Sequence, residues 1–361
     1  MLGHDDDVGI LPAMPSLKTS TQNLYALTLG AGIWPPQPTE HVVLFDEPHR
    51  QLRRYGSTDP RDRDLPPVLL VPPLAASATC YDLDPDHSLV AHLVDQGRTP
   101  YVVDYGEIGW RTDRHLGLED FFADIIPQAI ERVLVDSGAD QVDLVAWSLG
   151  GTLSLLTAAA NPALSIRSIT GIGTPLDYQQ IPGYPQARQL SKPTDGYAVT
   201  GLLRALGGIP APVVQTVYRA TSWDREVKRP WFLLSNLNNS EALAKAEIID
   251  RFQDSFPGYP GRAVSQMWGH FIFRNELAQG VLQIAGHTLD LTALTLPVQL
   301  FGSHRDAIAP FRSVHNGVAT LKSADVRFAT VETSHLGLVA LSAAVEQTWP
   351  AIDAFLAELD A

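Results

Sequence analysis

The sequence predicts an α/β protein with a mostly parallel central sheet covered by helices on both faces. Three observations carry this. Pro67-Val68-Leu69-Leu70-Val71 is a continuous branched apolar run, the length of a strand buried on both sides. From there to residue 172, segments of helical spacing alternate with short apolar runs, and parallel neighbours require such crossovers. The same strand pattern returns at 297–301 and 326–331, after a long stretch of different composition.

In order, residues 1–40 are rich in proline and polar residues and read as an N-terminal arm, with a helix able to begin near Leu24–Leu29. Val42–Phe45 and Gln51–Tyr55 flank Asp46-Glu47-Pro48-His49 as two short strands joined by a turn. After the strand at 67–71, the spacing of Leu89, Val90, Leu93 and Val94 predicts a helix over 86–96 that stops at Gly97. Thr99–Tyr105 is a strand, Leu118–Val135 a long amphipathic segment, Val142–Trp147 a strand, Leu149–Asn161 a small-residue helix and Ile166–Ile172 a strand. Alternation then stops. Residues 177–286 shift to Pro, Gly, Trp, Tyr and Asn, with helical stretches such as Glu241–Phe252, and read as an inserted cap. The core thus comprises 41–176 and 287–361, closing with a helix over Ala340–Leu359.

The chain has 361 residues, a formal charge of −14 and 45% hydrophobic residues, enough to bury a sizeable core. Its acidity excludes a basic-patch nucleic-acid binder. The single cysteine, Cys80, rules out an internal disulfide and a cysteine-based metal cluster. The most apolar stretch, Leu149–Leu164, is too short to span a bilayer and is interrupted by Gly150, Gly151 and Pro162. The first residues are acidic where a secretion signal is basic, so a cytoplasmic location is expected.

Between the strand ending at Trp147 and the following helix stands Ala146-Trp147-Ser148-Leu149-Gly150-Gly151. It approximates the G-x-S-x-G nucleophile elbow of α/β hydrolases, with Ala146 at the first glycine position. The turn needs tiny residues because it strains the serine backbone, and it presents the hydroxyl at a helix N-terminus. A serine that merely caps the helix explains the same pentapeptide, so context decides. Asp306 falls in the turn after the strand at 297–301 and His335 in the turn after the strand at 326–331. Ser148, Asp306 and His335 therefore lie in the chain order of an α/β-hydrolase triad, each at a strand end. Asp104, Asp82, Asp84 and Asp86 are rival acids that turn formation or helix capping explains. His304 shares a loop with Asp306, and Cys80 lacks an elbow. The Leu149 N–H is one oxyanion donor by position; Pro72 and Pro73 have none, so Leu74, then Ala75, supplies the second. No metal or organic cofactor is implied.

Leu70-Val71-Pro72-Pro73, Tyr81-Asp82-Leu83-Asp84-Pro85, Ser88-Leu89-Val90, Val103-Asp104-Tyr105-Gly106-Glu107, Asp113-Arg114-His115-Leu116, Ser148-Leu149-Gly150-Gly151-Thr152, Phe273-Arg274-Asn275-Glu276-Leu277 and Gly302–Pro310 together resemble the polyhydroxyalkanoate synthases, over about residues 65–345. The Asp-Arg-His-Leu segment and the short chain look like their two-subunit class. The resemblance implies an α/β-hydrolase core, a cap, acyl ester or thioester substrates, and a synthase-type partner subunit or a homo-oligomer. Those synthases carry cysteine at the elbow, where this chain has Ser148. The expectation is a serine hydrolase of acyl or hydroxyacyl esters, with two alternatives: an acyltransferase using hydroxyacyl-CoA, and a non-catalytic homologue on polymer granules.

Overall fold

A computed structural model describes residues 17–28, 32–33, 37–59, 61, 64–74, 76–221 and 223–361. In chain order come α1 (Leu17–Thr28), β1 (His41–Phe45), β2 (Gln51–Tyr55), β3 (Val68–Val71), α2 (Leu89–Asp95), β4 (Pro100–Asp104), α3 (Ile126–Ser137), β5 (Val142–Trp147), α4 (Leu149–Ala160) and β6 (Ile166–Ile172). There follow α5 (Tyr184–Ser191), α6 (Tyr197–Leu206), β7 (Gly208–Ile209), α7 (Ala211–Thr221), α8 (Trp223–Ser235), α9 (Ser240–Asp254), β8 (Tyr259–Pro260), α10 (Gly261–Gln266) and α11 (Glu276–Gln279). The chain closes with β9 (Val281–Ile284), β10 (His287–Asp290), β11 (Val298–Gly302), α12 (Phe311–Thr320), β12 (Val326–Thr330), α13 (Gly337–Ala340) and α14 (Trp349–Asp360).

These elements form two compact units. The smaller takes the described residues of 1–36 and 222–250, and the larger takes those of 37–221 and 251–361. In the smaller, the Asn23 amide donates to the Leu237 carbonyl at 2.9 Å, and Arg229 Nε donates to Asp250 at 2.9 Å. The larger unit holds an eight-stranded sheet in the order β1-β2-β4-β3-β5-β6-β11-β12. β1 and β2 run antiparallel at one edge; every pairing from β4 to β12 is parallel. The expected sheet is therefore the observed one. Among the described residues no helix is long and apolar enough to cross a membrane.

Both faces of the sheet are covered, as the unbroken apolar runs require. Leu69 and Val71 pack with Phe121, Ile126 and Leu153 on one side, while Val68 and Leu70 pack with Leu89, Leu93, Trp349 and Phe355 on the other. Local signals set the helix ends: Ser88 Oγ accepts from the Ala91 N–H at 3.1 Å to start α2, and Gly138, at φ 71°, stops α3. Two expected helices are interrupted. The amphipathic segment at 118–135 opens with a π-type turn over Asp120–Ile125 before α3. The terminal segment breaks at Leu341, whose extended backbone (φ −122°, ψ −179°) separates α13 from a second π-type turn and α14. The antiparallel hairpin β9–β10 lies across the boundary drawn at residue 286. Of the predicted arm, residues 1–16, 29–31 and 34–36 lie outside the described residues.

At the end of the sheet away from the elbow, the fully buried Asp143 accepts from Arg167 Nε at 2.9 Å and from Ser168 Oγ at 2.5 Å. Arg167 also reaches Asp360 at 2.6 Å, and Arg98 pairs with the same carboxylate, so β5, β6 and α14 share one charge network that runs from the buried Asp143 to the surface. Asp143→Asn keeps the shape and removes one of the two carboxylates that compensate Arg167, leaving Arg167 and Arg98 to share Asp360. It should lower the unfolding free energy by about 3 kcal/mol in chemical denaturation, the low end for removing one member of a buried ion pair.

Candidate active site

β5 is buried along its whole length and ends in a turn into α4. At that turn Ser148 has φ 54° and ψ −126°, a conformation few non-glycine residues adopt and one that costs about 1–3 kcal/mol. Close packing holds it there. A Cβ on Gly150 would sit 2.2 Å from the Val71 carbonyl oxygen, and one on Gly151 would sit 2.0 Å from Thr174 Oγ1. The Ser148 N–H donates to the Ile172 carbonyl at 2.8 Å, tying the elbow to the end of β6.

The other two predicted residues meet directly. His335 Nδ1 lies 2.6 Å from Asp306 Oδ2, and both side chains are buried. The second Asp306 oxygen accepts from the N–H groups of Ile308 and Ala309 at 2.8 and 2.9 Å, which fixes the carboxylate. A carboxylate on Nδ1 puts the ring proton there and leaves the lone pair on Nε2. That nitrogen is buried and has no hydrogen-bond partner among the described residues. An imidazole so oriented can take a proton from a hydroxyl.

Side chains outside the predicted set join these loops. Trp147 Nε1 donates to the His335 carbonyl at 3.2 Å, and the indole and imidazole centroids are 5.0 Å apart. The Tyr81 hydroxyl donates to the Val71 carbonyl at 2.7 Å and accepts from the Trp147 N–H at 3.0 Å. Ser303 Oγ donates to the Thr333 carbonyl at 2.7 Å and accepts from its N–H at 3.0 Å, binding the acid loop to the histidine loop. Gly173, at φ 58°, leaves room for His335, whose Cε1 lies 3.1 Å from where a Cβ would stand. A glycine closing β6 was the readable sign of this last contact; the others depend on tertiary pairing that spacing does not reveal.

The predicted oxyanion donors stand as follows. The Leu149 N–H opens α4, and the buried Leu74 follows β3 in the loop that Gly150 packs against. Ala75 lies outside the described residues. The rival acids are engaged elsewhere: Asp104 pairs with Arg53 and accepts from the Gly106 N–H at 2.8 Å, Asp82 accepts from Thr39 N–H at 2.8 Å, and Asp84 holds His87 at 2.9 Å. Asp86 adjoins that pair, its N–H donating to Asp84 at 2.8 Å. His304 is exposed and pairs with Glu332 at 2.6 Å. In the Phe273–Leu277 segment, Asn275 donates to Asp177 at 2.9 Å, and Asn316 donates to the other Asp177 oxygen at 2.7 Å.

These strands and this turn define the α/β-hydrolase fold. Solved structures agree: the monoacylglycerol lipase of Paleococcus ferrophilus superposes with a TM-score of 0.52 at 16% identity, over 85% of this chain and 98% of its own. BpoC of Mycobacterium tuberculosis, a non-heme bromoperoxidase by name, gives 0.51 at 16%, over 90% and 100%. In sequence the chain is similar to the polyhydroxyalkanoate synthases. It is 27% identical over 323 residues to the poly(3-hydroxyalkanoate) polymerase subunit PhaC of Haloferax mediterranei, covering 89% of this chain and 64% of that protein. It is 25% identical to the PhaC of Cupriavidus necator, over 82% of this chain and 51% of that one, and 21% identical to the PhaC of Allochromatium vinosum, over 93% and 92%. The chain thus spans about half to two thirds of the first two relatives. No protein-family model matches.

Cys80 is fully buried, and burial, with the Asp104 charge adding to it, pushes its thiol well above the ordinary value. A thiol held protonated is neither nucleophile nor easy target. Iodoacetamide at mildly alkaline pH should leave the native protein unmodified and alkylate Cys80 after unfolding in guanidinium, as read by intact mass. Rapid alkylation of the native form would restore Cys80 as a rival nucleophile.

Proposed function

We propose that this protein is a serine hydrolase that cleaves carboxylic esters of acyl or hydroxyacyl groups through a covalent acyl-enzyme. One observation supports this above the rest: a serine on a strained strand-to-helix turn, in a sheet whose later strand ends carry a buried His–Asp pair with a free imidazole nitrogen. In this reading His335 Nε2 takes the Ser148 proton as Oγ attacks the ester carbonyl carbon, and Asp306 holds the resulting imidazolium. The Leu149 and Leu74 N–H groups receive the oxyanion. The imidazolium then protonates the leaving alcohol, and a water molecule, deprotonated by the same histidine, releases the acid. Residues 177–286 act as the cap that governs access, and 1–40 as the arm. The chemistry needs no cofactor.

The similarity to polymerase subunits over most of the chain favours a second reading, an acyltransferase using hydroxyacyl-CoA with a synthase-type partner subunit or as a homo-oligomer. Ser148 weighs against it, because an oxygen ester is a poorer acyl donor to another alcohol than a thioester. A non-catalytic granule-bound homologue would have no need for Nε2 to stay free.

Ser148→Ala should abolish labelling by a fluorophosphonate probe and lower kcat/KM on a short acyl ester by several orders of magnitude, with His335→Ala costing about as much because the two act as one unit. Labelling that survives in Ser148→Ala would refute the assignment. Given hydroxyacyl-CoA, the wild type should release free CoA and monomeric hydroxy acid by mass spectrometry. Oligomeric product would instead establish the acyltransferase.

A further inference from the structure

Residues 177–286, proposed as the cap, leave and rejoin the core beside one buried carboxylate. Asp177 follows β6 as the first residue of that segment, and Asn275 stands just before α11, near the segment's other end. Asp177 is 7% exposed and pairs with no cation among the described residues. Four neutral donors fill its two oxygens instead. Oδ1 accepts from the Gln179 N–H at 3.0 Å and from Asn275 Nδ2 at 2.9 Å; Oδ2 accepts from Gln180 Nε2 at 3.1 Å and from Asn316 Nδ2 at 2.7 Å. Asn275, at φ 52°, also accepts from the Tyr178 N–H at 3.2 Å through its own oxygen, so its amide is engaged at both ends. A carboxylate buried without a cation is costly, and an amide in its place has one accepting oxygen where four donors converge. The charge is therefore tied to the joint it makes.

Both sides of that joint reach the triad loops. On one side, the short loop from Gly173 to Asp177 backs the site: His335 Cε1 lies 3.1 Å from where a Cβ on Gly173 would stand, and Thr174 fills the space beside Gly151. Its far end is held by the Asp177 side chain and by the N–H groups of Leu176 and Asp177, which donate to the Ser313 carbonyl at 2.9 and 3.0 Å. On the other side, Ser313 and Asn316 belong to α12, and Ile308 and Ala309 just before it donate their N–H groups to Asp306. Asp177 thus joins the loop behind His335 and the elbow to the helix that follows the acid loop, and Asn275 brings the returning chain to the same point.

Resting on the hydrolase reading above, we propose that Asp177 is a positioning residue for the reaction at Ser148. Through Asn316 it fixes the spacing between the loop 173–177 and α12, and so the placement of the His335–Asp306 pair against the elbow. Its effect falls on the proton transfer rather than on the hold over the acyl group, because the loop it secures lies against His335 and Gly151.

Asp177→Asn keeps the shape but turns an NH2 group toward two of the four donors. On a short p-nitrophenyl ester it should lower kcat about thirtyfold with KM little changed, since a displacement of about 1 Å costs on the order of a hundredfold. Fluorophosphonate labelling of Ser148 should slow in proportion. Combining Asp177→Asn with Asn316→Asp restores a carboxylate–amide pair in reversed order and should recover most of the lost kcat. If Asp177→Asn does not fold, Asn316→Ala, which leaves the carboxylate and its other three donors in place, should lower kcat about tenfold. A rise in KM at unchanged kcat would make Asp177 an anchor of the cap alone and overturn the proposal, as would labelling of Asp177→Asn at the wild-type rate or a swap that recovers nothing. Wild type that neither takes the label nor hydrolyses the ester overturns the hydrolase reading, and this proposal with it.

Discussion

The first turn of α4 lies against the end of β3 with no room for a side chain between them, and the site's geometry depends on that approach. Gly150 meets the Val71 and Pro72 backbone and Gly151 meets Thr174. Larger residues would push the helix outward and relax the turn. With glycines there, β5 runs straight into α4 and Ser148 is left at positive φ. The strain is over-determined by neighbours: β5 pairs with β3 through Val71↔Ala146 and with β6 through Trp147↔Ile172. A central strand held on both sides cannot give way, so the single residue at its tip absorbs the distortion.

Neutral hydrogen bonds and rings join the loops around this turn beside the Asp306–His335 pair. Tyr81 bridges β3 to β5, Trp147 bridges β5 to the histidine loop, and Ser303 bridges the acid and histidine loops. In a chain of charge −14, further carboxylates here would repel the one that must face His335. At the far end of the sheet the buried Asp143 and Arg98 join Arg167 and Asp360 in a network whose charges compensate one another.

Much of the fold was legible because its signals are local. Both-face burial makes β3 read as an unbroken apolar run and β5 as one broken only by Asp143, and Gly97, at φ 80°, follows the end of α2 where the sequence placed it. Asp306 and His335 were legible because each follows a strand in the chain order that the chemistry of Ser148 requires, and the structure brings those two into hydrogen bond. What escaped reading depends on contacts distant in sequence. The break at Leu341 interrupts a segment whose residues are ordinary helix formers, so propensity gave no warning. The division that groups 222–250 with the N-terminal residues has no compositional mark.

The pairing of β6 with β11 has a consequence in time. Ile169 lies beside Val298, so everything between residues 172 and 298 must be threaded out before the strands can meet. Closing so large a loop costs entropy that only the finished pairing returns, and such contacts form late. β12 can add only once β11 is in place. The elbow, built from β3, β5 and β6, is complete earlier, while the acid and the base arrive with the last two strands. A partly folded chain therefore carries Ser148 without His335 beside it, and under the proposed mechanism reactivity in the nascent protein appears only when folding is finished.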